Sequence, residues 1–203
     1  MHRTRCIMAL LLAAGLLLAR SVAAQDLRLE RRLDVATREA VAAIVEAARA
    51  AGLPVETLVD RALEGAAKRA DGPRIVAAVR LLATELAAAR DALGPASLPV
   101  ELEAGAGALR AGVPAADLTL LRQRRARPLT VALGALTDLV TSGVPPDSAA
   151  AAVLALAASA GDDQLLDFRR AVERDIALGA PPAAAAAVRV DAAIRQTPTT
   201  RKP

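Results

Sequence analysis

Gly143-Val144-Pro145-Pro146-Asp147 is the stretch whose reading decides the fold, because its glycine, apolar residue and proline recur along the chain. The other copies are Gly52-Leu53-Pro54, Gly112-Val113-Pro114 and Gly179-Ala180-Pro181. Glycine suits the left-handed backbone just past a helix end, and the apolar residue folds back onto the last turn. Proline then opens the next helix at a position that needs no N–H donor. Each copy therefore stops one helix and starts another.

Between these reversals the apolar residues recur at three and four. Val55, Leu58, Val59, Ala62, Leu63 and Ala66 form one stripe, while Glu56, Asp60, Glu64 and Lys68 run down the other side. Ile75, Val76, Val79, Leu82 and Leu86 repeat the pattern after Asp71-Gly72-Pro73, and Leu165, Phe168, Val172 and Ile176 repeat it after Asp162. Alternation is rare, so the expected fold is all-α.

The turn glycines lie 60, 31 and 36 residues apart. Spacings of about 30 to 36 residues are those of two helices with their turns. The expectation is antiparallel helical hairpins stacked as a short repeat-like array, a solenoid or irregular bundle of about eight or nine helices.

Local expectations follow along the chain. Ser97 is placed to cap the helix that runs from Leu98, and Gly105 and Gly107 inside that helix imply close packing or local mobility. Leu81 lies off its helix's stripe, which suggests contact on two sides. Residues 148–160 carry no charge, so this helix is expected to lie innermost. Val188 and Ile194 are expected to anchor the last helix.

The N-terminus reads as a secretory signal, residues 1–24. Arg3 and Arg5 precede the apolar run Ile7 to Ala19, and Val22-Ala23-Ala24 offers small residues for cleavage. The run is shorter than the roughly 20 residues of a membrane-spanning helix. The working protein is then periplasmic or extracellular, with a charged lead-in at 25–34, one helical domain at 35–196 and a loose tail at 197–203. Arg3, Arg5 and Arg20 leave with the signal, so Lys plus Arg falls from 26 to 23 against 22 Asp plus Glu, and the net charge falls from +4 to +1. The whole-chain pI of 10.4 thus says little about nucleic acid, and no nucleic-acid partner is expected.

Missing residue types narrow the chemistry further. His2 and Cys6, the only histidine and cysteine, both lie in the signal. A zinc site of nitrogen and sulfur ligands, a Ser-His-Asp triad, a cysteine nucleophile and a disulfide are therefore not expected in the mature chain. Phe168 is the only aromatic residue, too few for a stacking platform. No catalytic residue, metal ligand or cofactor site is assigned.

Three features merit weighing as sites. Glu56, Asp60 and Glu64 form a row of carboxylates, for which a solvated helix face is the simpler reading. Asp162-Asp163 sits where a helix cap is wanted. Arg122, Arg124, Arg125 and Arg127 form a local excess of positive charge, the candidate site for an anionic partner.

The function expected from all this is an exported, non-enzymatic α-helical interaction or scaffold protein of the bacterial cell envelope, with a protein partner. Two alternatives remain: a carboxylate-dependent envelope hydrolase, and a peripheral binder of an anionic envelope polymer or membrane surface through the arginine cluster.

Overall fold

The computed structural model describes residues 27–125 and 128–196, so the signal segment, Arg127 and the tail 197–203 lie outside the described residues. The described residues are helical, without a strand. After α1, described over 27–30, come α2 (Val35–Ala50), α3 (Val55–Ala67), α4 (Gly72–Leu93), α5 (Pro99–Arg110) and α6 (Ala115–Arg124). Then follow α7 (Thr130–Thr141), α8 (Pro146–Leu156), α9 (Asp162–Ala177) and α10 (Pro182–Gln196). No helix among these residues is long and apolar enough to cross a membrane.

The four glycine turns close by the same pair of hydrogen bonds. At the third, the Gly143 N–H donates to Val140 O at 2.9 Å and the Val144 N–H to Leu139 O at 3.0 Å, the two bonds of a Schellman motif. The pair recurs at Gly52-Leu53, Gly112-Val113 and Gly179-Ala180. Gly143 has φ 95°, which an L side chain rarely adopts. Leu53, Val113 and Val144 are buried, as residues folding back onto a helix end should be.

Proline sits one position earlier than expected: Pro54, Pro114 and Pro145 are N-caps. The N-cap contributes its carbonyl to the first helical bond, as Pro145 O does for the Ala149 N–H, so proline loses nothing there.

A fifth reversal of this type closes α3 without glycine. Arg69 takes φ 57°, its N–H donates to Ala66 O, and the Ala70 N–H donates to Gly65 O.

The chain divides into two compact units, one up to Ala83 and one from Thr84, with α4 running through the boundary. In the first unit α2 packs on α3 around Val41, Val45, Leu58, Val59, Ala62, Ile75 and Val79. Asp34 caps α2: its carboxylate accepts the Thr37 N–H at 2.9 Å and the Thr37 hydroxyl at 2.6 Å. These bonds hold its carboxyl below the usual range.

In the second unit α7 is the most enclosed helix. It packs on α5, α8 and α9, burying Ala132, Leu133, Ala135, Leu136 and Leu139. The uncharged stretch 148–160, expected innermost, falls on α8, which carries Asp147 in its first turn, ends at Leu156 and leaves Ala151 and Ala155 exposed. Alanine costs little to leave in water, so lack of charge alone does not force enclosure. Leu81 is likewise exposed. On α10 the inward residues are Ala185 and Ala186, whereas Val188 and Ile194 are exposed.

Candidate functional site

The arginine cluster ends α6. Leu118 and Leu121 are buried and orient the helix, which leaves Arg122 half-buried and Arg124 exposed. Neither has an ion-pair partner among the described residues, and positive charge at this end is favoured by the helix dipole.

Arg125 turns inward, its side chain only 10 % exposed. Its guanidinium donates to Ala160 O at 2.5 Å and Ala157 O at 3.3 Å, and to the Asp162 carboxylate at 2.5 Å. It thereby joins the carbonyls that follow α8 to the first turn of α9. Arg124 and Arg125, with Pro128 and residues 157–162, line an open recess of about 390 Å³. The structure thus brings Arg122, Arg124 and Arg125 to one helix end, with Arg125 already engaged.

Asp162 is the first residue of α9, and its N-cap is Gly161, whose N–H donates to the Gln164 side-chain oxygen at 2.9 Å. The capping role expected of Asp162 therefore passes to Gln164, since Asp162 pairs with Arg125. Ser97 also differs from expectation. Its hydroxyl donates to Leu93 O at 3.0 Å, satisfying a carbonyl at the end of α4, while Leu98 is the N-cap of α5.

Two of the three carboxylates in the row on α3 sit in ion pairs. Glu56 accepts from Arg28 at 2.7 Å, and Glu64 from Lys68 at 2.6 Å and Arg61 at 3.2 Å. Arg28 and Lys68 hold the Glu56 and Glu64 carboxyls below their ordinary range. Asp60 is exposed between them. No group of three or more metal-ligating side chains occurs among the described residues.

Glu101 is the charged residue that sequence reasoning passed over. It is fully buried, and its two oxygens accept the Leu98 N–H at 3.0 Å and the Leu129 N–H at 3.0 Å. One carboxylate thus fastens the start of α5 to the residue that opens α7. A glutamate at the third position of a helix signals the first bond. Nothing local signals the second, made 28 residues away.

Two further clefts carry single carboxylates. One of about 230 Å³ is lined by Leu156, Gln164, Asp167, Phe168 and Arg189 among others, and one of about 330 Å³ lies among alanines of α8 and α10 with Asp191. Arg189 is held by Asp175 through two bonds of 2.6 and 2.7 Å, which raise the arginine's pKa and lower the aspartate's. Comparison with models of known protein families, with curated proteins and with solved structures finds no match.

Proposed function

We propose that this chain is an exported, non-enzymatic α-helical protein of the bacterial cell envelope that works by presenting a surface to another macromolecule. In this reading its helices, reversed at recurring left-handed turns, stack as antiparallel hairpins into a short array, and arrays of that kind are binding scaffolds. Export rests on residues 1–24. The observation that carries the non-enzymatic part is the state of the carboxylates. With His2 and Cys6 confined to the signal, acid–base work falls to Asp and Glu. Glu56, Glu64, Glu85, Asp138, Asp162 and Asp175 each sit in an ion pair with an arginine or lysine, and Glu101 is spent on two backbone N–H groups. Two facing carboxylates, as a hydrolase of this composition requires, do not line any of the clefts described above.

The second reading, attachment to an anionic polymer or membrane surface, is favoured by Arg122 and Arg124, which have no ion-pair partner among the described residues. Cross-linking in intact cells followed by mass spectrometry tests the first. A single macromolecular partner recovered repeatedly supports it, and no specific partner across several growth conditions overturns it. Cell fractionation with N-terminal sequencing should find the protein outside the cytoplasm and beginning at Gln25. Replacing Arg122 and Arg124 by serine separates the two readings, because only attachment to a polyanion then loses its salt-sensitive component.

A further inference from the structure

A second convergence of arginines lies in the first unit, in the segment read above as a charged lead-in. Leu29 and Leu33, four residues apart, are 3 % and 9 % exposed and fasten this segment to the core. Arg28, Arg31 and Arg32 share a helical spacing of three and four, and all three are exposed. Together they line an open pocket of about 390 Å³ with Leu63 and Ala67 of α3.

Charge and apolar surface are both left over there. Glu56 engages Arg28 at 2.7 Å, a bond that raises the arginine's pKa, and Asp60 adds to the local negative field. Arg31 and Arg32 have no ion-pair partner among the described residues. Leu63 belongs by periodicity to the inward stripe of α3, yet it is only half-buried, and Ala67 is exposed. Guanidinium forks suit carboxylate and phosphate oxygens, and they surround an apolar patch in place of open water.

We propose that this pocket binds an amphiphilic anion. Arg31 and Arg32 hold a carboxylate or phosphate head, Arg28 is steadied beside them by Glu56, and the first carbons of an apolar stem lie on Leu63 and Ala67. The volume falls near the low end of the roughly 300–1,000 Å³ of small-molecule sites, which fits a head and a short stem. The proposal is independent of the scaffold reading, since it needs neither export nor a macromolecular partner.

Calorimetric titration of the full chain with butyl phosphate, butyrate, inorganic phosphate and butanol tests it. Butyl phosphate should bind saturably, one per chain, with butyrate competing and butanol not binding. Each methylene covered is worth about 4-fold in affinity, so inorganic phosphate should bind at least that much more weakly. The R31S/R32S variant should weaken butyl phosphate about 10-fold or more, the worth of a charge-assisted hydrogen bond, with an unchanged thermal midpoint. The R122S/R124S variant should bind as the parent does. In the parent protein the Leu63 methyl resonances should shift along the butyl phosphate titration and stay still with inorganic phosphate.

Vesicles of phosphatidylglycerol distinguish the source of the anion. Vesicle binding displaced by butyl phosphate assigns the site to a lipid head, and butyl phosphate binding with vesicles ignored assigns it to a soluble anion; both support the pocket. Equal affinities for butyl and inorganic phosphate overturn the proposal. So do an R31S/R32S variant no weaker than R122S/R124S, and vesicle binding without butyl phosphate binding.

Discussion

Gly105 and Gly107 stand two residues apart on α5, and alanine should stabilise the protein at position 107 but not at position 105. A Cβ on Gly105 would lie 2.9 Å from Leu93 Cδ1, 3.2 Å from Ala89 Cβ and 3.6 Å from Leu118 Cδ2. All three neighbours are buried, and Ala89 cannot yield unless its helix shifts. A Cβ on Gly107 would meet only Thr137 Oγ1, at the ordinary contact distance of 3.8 Å.

Replacing glycine by alanine inside a helix gains about 1 kcal/mol at either site. Overpacking a close contact costs about 1–3 kcal/mol, and this applies to Gly105 alone. Gly107→Ala should therefore stabilise by about 1 kcal/mol, and Gly105→Ala should be neutral or destabilise by up to about 2 kcal/mol. The two variants should differ by about 2–12 °C in thermal midpoint, taking about 2–4 °C per kcal/mol for a chain of this size. Phe168, the only aromatic ring and a core residue of the second unit, provides the probe. Its ring signals can be followed through urea and heat without interference from the first unit. If Gly105→Ala raised the midpoint as much as Gly107→Ala does, close approach would not be the reason for glycine at 105.

Other perturbations test other parts of the structure. Glu101→Ala strips the acceptor from two N–H groups in a dry site and should cost about 2–6 kcal/mol in urea unfolding, at about 1–3 kcal/mol for each group. Glu101→Gln, which keeps one acceptor oxygen and so strips one N–H group, should cost about half as much, and equal losses would deny the carboxylate its fastening role. Arg69→Gly relieves a left-handed non-glycine residue, a strain of about 1–2 kcal/mol partly offset by the freer unfolded chain; a small rise in the stability of the first unit is expected, read by amide exchange in α3. The carboxyls of Asp34, Glu56, Glu64 and Asp175 are all held below their ordinary values, so the protons they lack in the folded state bind more readily in the unfolded one. Their contribution is complete above the unfolded values near pH 4 and is lost as pH falls through the lower folded values. The thermal midpoint should hold steady from about pH 5 to 8, the range in which histidine would titrate, and decline below about pH 4. A marked change across pH 6 to 7 would contradict this.

The sequence by itself determined where four of the helices stop and that the described residues form helices without a strand. A Schellman turn is closed within six residues, so Gly52, Gly112, Gly143 and Gly179 could be read in place. Arg69 escaped because its left-handed turn is imposed on a residue with no preference for it. Which side of a helix is enclosed was less legible. Period gives a stripe, but Leu63 is half-buried, Val188 and Ile194 face out, and α7 takes the central place expected of α8, because enclosure depends on neighbours that arrive from elsewhere in the chain. The same holds for the charges. Arg125 read as one of four equivalent cations until its acceptors came from residues 157–162, and Glu101 drew no attention until Leu129 met it. Local hydrogen bonding is written in adjacent residues, whereas burial and pairing at separations of 28 to 37 residues exist only once the helices have packed.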